Sequence, residues 1–288
     1  MAEWDLRPLS LGEILDRTFT LYRRHFLLFV GIAVIPQLLT LALGLAQILL
    51  LRTPTPLVPG ASELQRLPSS GFMAFGVVGV IIAAIVRLVA YLFAQGGTIF
   101  AVSDLYLGRT TTIGASLGRM WGQLLNLFGV IILNFLAIAG GFILLVIPGI
   151  YIACRLITCV PAALLEDLGA RESLSRSFAL TKDNAGRAFI IYLLYIVMLY
   201  AAIFLFAIPF GVMVAAFAKD PSMMRTSMAL LQVGSFIAQV LVSPFLLIAT
   251  SVFYYDLRVR KEAFDLQLMM NPAGAVRAGG PSVPSVLS

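Results

Sequence analysis

Residues 26–51 run for 26 positions without a charged side chain. About 20 apolar residues carry a helix across the hydrocarbon core of a bilayer. Inside that core a segment must satisfy its own backbone hydrogen bonds, which leaves the helix as the form open to a single run of this length. Five further apolar stretches follow at 71–101, 123–147, 150–165, 188–218 and 228–255. The fourth is short, so whether it crosses fully stays open at this level. The chain is 60% hydrophobic and 12% charged, against roughly 45–50% and 25% in a soluble domain. The expectation is an all-α, polytopic integral membrane helical bundle of about six transmembrane helices. It forms a single membrane domain over residues 1–270, followed by a disordered Pro-, Gly- and Ser-rich tail at 271–288. Pro36 is expected to kink the first span, and Pro148-Gly149 to turn the third sharply into the fourth.

Short amphipathic segments precede alternate spans. Ser10 and Glu13 make an S-x-x-E capping box that starts a helix at Leu11. Leu11, Ile14, Leu15, Thr18, Leu21 and Tyr22 form its apolar stripe, the pattern of a helix lying in the membrane interface. Glu13, Arg17, Phe19 and Leu21 recur in order as Glu172, Arg176, Phe178 and Leu180, and more loosely as Arg119, Trp121 and Leu124. Glu172 and Arg176 stand four apart and are expected to pair along one helix face. The even-numbered spans end on Asp104, Asp167 and Asp256, each followed by Leu and a nearby Arg. This recurrence reads as three parallel units, each an amphipathic helix and a hairpin of two spans. Glu13, Arg17, Glu172, Arg176, Asp104, Asp167 and Asp256 are the expected inner-face ion pairs, fixing the register of neighbouring hairpins.

The charges also orient the chain. Outer segments hold only Arg52, Arg66, Lys219 and Arg225, and the spans hold Arg87 and Arg155, leaving 14 of the 20 basic residues on the side of the termini. The positive-inside rule then places both termini in the cytoplasm. No basic run with interleaved aromatics suggests nucleic acid, and no cleavable signal peptide is expected. Cys154 and Cys159 lie five apart in an apolar stretch and read as packing residues, and the single histidine, His25, reads as an interfacial anchor. No catalytic, cofactor or metal site emerges: G-x-S-x-G, P-loop and H-E-x-x-H patterns are lacking.

Two charges remain inside spans, and ionisable residues there are functional candidates by default. Arg87 lies 17 residues before Asp104 and Arg155 lies 12 before Asp167. Both counts point to the outer half of the bilayer, with two readings: a polar cavity for an anionic headgroup or phosphate, or guanidinium groups that snorkel or bond helix carbonyls. Gln37, Gln47, Gln95, Asn126, Asn134 and Gln239 read as interhelical hydrogen-bond residues.

Three stretches, RPLSLGEILDRTFTLYRRHFLLFVGIAVIP (7–36), VPAALLEDLGARESLSRSFALTKDNAGRAF (160–189) and FYYDLRVRKEAFDLQL (253–268), together resemble bacterial proteins carrying the glycerophosphoryl diester phosphodiesterase membrane domain. The resemblance implies a bacterial plasma-membrane protein without the soluble hydrolytic barrel, so no catalytic residue carries over. The expected function is non-catalytic: organising or regulating anionic lipids or a membrane or cytoplasmic protein partner through the inner face. Arg17, Arg119 and Arg176 are the candidates for lipid phosphates, at about 1 kcal/mol each near an anionic surface. The alternatives are a transporter of an anionic solute or lipid using Arg87 and Arg155, and a membrane subunit working with a separate phosphodiesterase.

Overall fold

The structure, a computed structural model, describes residues 7–50, 70–216 and 220–262. Most of residues 52–70, between the first two spans, and all of the tail expected at 271–288 lie outside the described residues. Among the described residues the chain forms eleven helices and no strand. These are α1 (Leu11–Arg24), α2 (Phe26–Leu50), α3 (Ser70–Tyr106), α4 (Ile113–Gly118), α5 (Met120–Leu144), α6 (Val146–Arg155), α7 (Cys159–Leu165), α8 (Ala170–Leu180), α9 (Ala185–Phe206), α10 (Ile208–Ala216) and α11 (Pro221–Glu262). Six stretches are long and apolar enough to cross a membrane: Phe26–Ile48, Gly79–Tyr106, Met120–Leu144, Val146–Leu165, Ala185–Phe206 and Met223–Glu262. The protein is a multi-pass, all-α membrane bundle. Its exposed surface carries Leu27, Leu125, Phe135, Ile143, Phe204 and many like them. In water such patches promote aggregation; in lipid they cost nothing.

The helix ends follow local chemistry. Ser10 caps α1 with the full reciprocal box: its backbone N–H donates to Glu13 and its hydroxyl accepts from the Glu13 N–H. Four of the described prolines sit in first turns, where a missing N–H leaves no bond unmade. Pro148, Pro161, Pro209 and Pro221 occupy the starts of α6, α7, α10 and α11, whereas Pro36 and Pro244 lie inside α2 and α11.

By contact the described chain divides into two compact units. The first comprises residues 7–33, 92–197 and 242–262, and the second 34–50, 70–91, 198–216 and 220–241. In the first unit, α11 is buried on every side from Ile248 to Leu257, the mark of a helix that others surround. The second unit is held by close backbone approach. A Cβ on Gly234 would lie 2.0 Å from the Phe206 carbonyl oxygen, and one on Gly44 would lie 2.6 Å from the Gln232 amide.

The turn from the third span into the fourth falls at Leu145, in extended conformation, and not at Pro148-Gly149 as the sequence suggested. Those two residues lie in the first turn of α6. The glycine serves packing instead, because a Cβ on Gly141 would stand 2.9 Å from the Gly149 Cα. The fourth crossing is also interrupted, since α6 ends at Arg155 and α7 begins at Cys159. Cys154 and Cys159 flank that break as free, buried thiols.

Small residues at helix contacts replace the hydrophobic effect as an assembly force in lipid. Gly141→Ala and Gly234→Ala are therefore expected to lower the thermal stability of the purified protein, each by about 1–3 kcal/mol. Gly122→Ala, where a Cβ meets nothing within 4 Å, is the control and should leave the melting temperature unchanged.

Candidate functional site

The polar residues of the first unit form a connected layer built from α1, α4, α8 and the ends of the spans. The interfacial segments keep one register. Ser10, Thr112 and Gly169 are the N-cap residues of α1, α4 and α8. At the same distances beyond these caps, Ile14, Ser116 and Ser173 are buried, as are Thr18, Met120 and Ser177. Arg17, Arg119 and Arg176 occupy the position before the second buried residue in each segment. The one departure is at Arg119, which is the joint itself: α4 ends at Gly118 and α5 starts at Met120.

Each pair of spans closes on the next segment through an acid. Asp104, buried near the end of α3, accepts from Arg119 at 3.2 Å through Oδ1 and lies 3.0 Å from the same nitrogen through Oδ2. Glu166, at the end of α7, takes Arg176 of α8 in a bidentate grip, with Nε to Oε2 at 2.8 Å and Nη2 to Oε1 at 3.0 Å. Arg176 also pairs with Glu262, and the buried Tyr254 hydroxyl donates to Glu166 at 2.6 Å. Burial disfavours the charge on Arg176, but the hydrogen bonds from Glu262 and Glu166 outweigh it and hold its pKa above the ordinary value. Asp256 completes the set. Its side chain is fully buried, accepts the Leu9 N–H at 2.7 Å and Arg187 at 2.8 Å, and pairs with Arg260 one turn on. Arg187 and Arg260 both donate to the Leu9 carbonyl. The last span is thereby tied to the segment that precedes the first helix, and the three closures form a ring.

Aromatic and hydroxyl groups fill the layer between them. Tyr106 stacks on Tyr255 with ring centroids 5.1 Å apart, Arg17 donates to the Tyr106 hydroxyl at 2.9 Å, and Ser103 bonds the Tyr255 hydroxyl at 2.7 Å.

Several expected partnerships differ. Glu172 does not take Arg176: its carboxylate accepts from the Gly169 N–H, capping α8, while Glu166 and Glu262 hold the arginine. Glu13 likewise pairs with Arg7 and the Ser10 N–H instead of Arg17. Asp167 is not an ion-pair residue. It adopts φ 53°, with the Leu168 N–H reaching back to the Ala163 carbonyl, so it is the left-handed residue of a helix C-cap, and its carboxylate accepts from Gln123. Gly108, with φ 74°, holds the same place after α3. Asp104 therefore precedes its cap while Asp167 is the cap, and the two Asp-Leu pairs are not structural equivalents.

Arg155 is committed to α8. It donates to the Phe178 carbonyl, to Thr181 at 3.2 Å and to Tyr151 at 2.8 Å, and lies over the Phe178 ring. A cation at a helix C-terminus is favourable. The helix break before Cys159 shortens the path that a straight count of residues measures. Arg87, in the second unit, is exposed and makes no hydrogen bond or ion pair with a described residue. Arg187, Arg258, Glu166, Glu262 and Tyr254 were not singled out by sequence. Arg258 and Glu262 are an i,i+4 pair in the last turns of α11, and that spacing was the available signal.

Residues 131–268 match the family model described as the membrane domain of glycerophosphoryl diester phosphodiesterase. The resemblance is to this membrane-domain family. The matched stretch takes in the α7–α8 turn and the α11 end, and so contains the Glu166 closure and the Asp256, Arg187 and Arg260 side of the next, but not Leu9, α1 or Asp104. Of the three stretches that carried the resemblance in the sequence, 160–189 and 253–268 lie inside it and 7–36 lies before it. The family is named for a membrane part and not a catalytic one. No curated protein and no solved structure matches the chain.

Asp256→Ala removes the acceptor of both Arg187 and the Leu9 N–H. It is expected to cost about 3–5 kcal/mol, as for a broken buried pair, read as a large fall in melting temperature in detergent. Glu172→Gln keeps an oxygen for the Gly169 N–H and should stay within about 0.5 kcal/mol of the parent. The capping box gives a pH prediction. The Ser10 N–H, the Ser10 hydroxyl and then Arg7 hold the Glu13 carboxyl down at about 2. Because this pKa is depressed, the contribution of the box is complete above the ordinary value of 4.5 and is lost only as pH falls towards 2. A carboxyl ¹³C titration of labelled glutamate should find one midpoint near 2; a set of midpoints all near 4.5 would mean that the box is open in solution.

Proposed function

We propose that this chain is a non-catalytic membrane module of the bacterial plasma membrane, with both termini in the cytoplasm. It organises or regulates anionic lipids, or a membrane or cytoplasmic protein partner, through its charged layer. The supporting observation is the ring of closures. Three interfacial segments are locked together by acids whose partners lie within the protein, so the layer is a fixed surface bearing surplus arginines at the ends of the spans. The bias of basic residues towards the termini supports the cytoplasmic orientation.

The matched family's name favours one variant of this reading, in which the module works beside a separate phosphodiesterase. Transport through Arg87 and Arg155 has less behind it, because the Arg155 donors are committed to Tyr151, Phe178 and Thr181.

Ser175 lies exposed on α8. A photo-crosslinking side chain placed there should capture anionic lipid or a discrete protein in intact cells. A cysteine at the same position should resist an impermeant thiol reagent from outside and react in inverted vesicles. Featureless crosslinking, together with anion uptake into proteoliposomes that disappears in the Arg87→Gln, Arg155→Gln double variant, would replace this proposal with transport.

A further inference from the structure

The three closures differ in how fully they employ their arginines. At Glu166, two acids meet two arginines, because Glu262 pairs with both Arg176 and Arg258. At Asp256, Arg187 and Arg260 divide their donors between the carboxylate and the Leu9 carbonyl. At Asp104 a single carboxylate faces two guanidinium groups. Arg119 reaches it through one nitrogen, and its side chain remains 49% exposed. Arg109 lies 3.8 Å from it, beyond hydrogen-bond range. The Arg109 side chain makes no hydrogen bond to any described residue, and its Nη2 is buried without an acceptor. A guanidinium has five N–H donors, and leaving a charged donor unpaired is costly. This corner of the layer carries one positive charge too many and donors with nothing to bind. An anion with several oxygens is its complement.

Its position says which anion. Tyr106 ends one span and Met120 begins the next, so Arg109 and Arg119 stand just beyond two span ends, at the level of lipid headgroups. Trp121, beside Arg119, is 75% exposed and packs edge-on to Phe93 at 5.3 Å. An exposed indole at a span end belongs to the interfacial aromatic belt. The geometry points to a binding site for the phosphate of an anionic glycerophospholipid, held by Arg109 and Arg119, with Asp104 positioning the two guanidinium groups and Trp121 lying alongside the glycerol. Guanidinium forks match phosphate oxygens in bidentate fashion. This site rests on the reading of the layer as lipid-facing and narrows it: Arg176, saturated by two glutamates, is not a lipid contact.

Native mass spectrometry of the full chain in detergent, titrated with phosphatidylglycerol or phosphatidylcholine, tests the site. Arg109→Gln removes no hydrogen bond within the protein, so it should keep the parent melting temperature and weaken phosphatidylglycerol binding about tenfold, the effect of losing a hydrogen bond between charged groups. Adding Arg119→Gln should weaken it further. Arg171→Gln removes an equal charge from an exposed residue of the same layer that bonds no described residue, and should change little. Equal losses in Arg171→Gln and Arg109→Gln would overturn the site while leaving a diffuse attraction to anionic lipid. No preference for phosphatidylglycerol in the parent protein would overturn the lipid-facing reading itself. Binding of inorganic phosphate that displaces the lipid and shows the same dependence on Arg109 would assign the corner to a soluble phosphate and overturn the lipid assignment.

Discussion

A carboxylate removed from water must find opposite charge and hydrogen-bond donors together. Asp256 meets that demand with Arg187, Arg260 and the backbone N–H of Leu9. The requirement reaches across the whole first unit, because these groups come from α9, from α11 and from the segment before α1. Leu9 is held through both of its backbone polar groups, by Asp256 at the N–H and by two arginines at the carbonyl. Such a clamp reads backbone position and not side-chain identity. It fixes the segment before α1 against the end of α11 within one compact unit.

In lipid the apolar faces of helices gain little by meeting one another, so specificity must come from shape and polar pairing. The division is visible along α11. Its middle contributes small-residue contact, with Gly234 against the Phe206 carbonyl, and its end contributes Tyr254, Asp256, Arg258 and Glu262 to the closures. At 42 residues it is about 63 Å long, roughly twice the hydrocarbon thickness. The excess length allows one helix both to span the membrane and to anchor the charged layer.

What could be read from the sequence was what is decided within a few residues. The capping box of Ser10 and Glu13, the buried stripe of Ile14, Thr18 and Leu21, and the apolar length of the spans all depend on neighbours in the chain. The choice of ion-pair partner does not. Glu172 sits one turn from Arg176 and is the obvious mate by spacing, yet a bidentate contact with Glu166 is the better geometry once the α7–α8 turn has folded back. That turn also separates Glu166 from Asp167. A left-handed φ fits Asp with little strain, so Asp167 takes the backbone role and the adjacent glutamate takes the charge. Neither assignment follows from the spacing of charges along the chain. Arg155 was misplaced for a related reason: twelve residues measure a distance only if they form one helix, and the break between α6 and α7 shortens it.

The unequal use of the closures follows from how each interfacial helix joins its span. α1 is set off from α2 by His25, and α8 from α9 by residues 181–184, so Arg17 and Arg176 lie on helix flanks where other elements can pack over them. α4 is only six residues long and runs into α5 through Arg119, whose backbone is itself helical. An arginine at a joint of this kind stands at the boundary of the span, where fewer elements reach it. The exposures agree: the Arg119 side chain is 49% exposed and that of Arg176 is 25% exposed. One shared register has therefore produced two electrostatic outcomes. Where the helix is long and the linker separate, the arginine is drawn onto partners in the protein, Arg176 onto two carboxylates and Arg17 onto the Tyr106 hydroxyl. Where the helix is short and fused to its span, the arginine pairs with Asp104 and still leaves half of its side chain exposed at the span end.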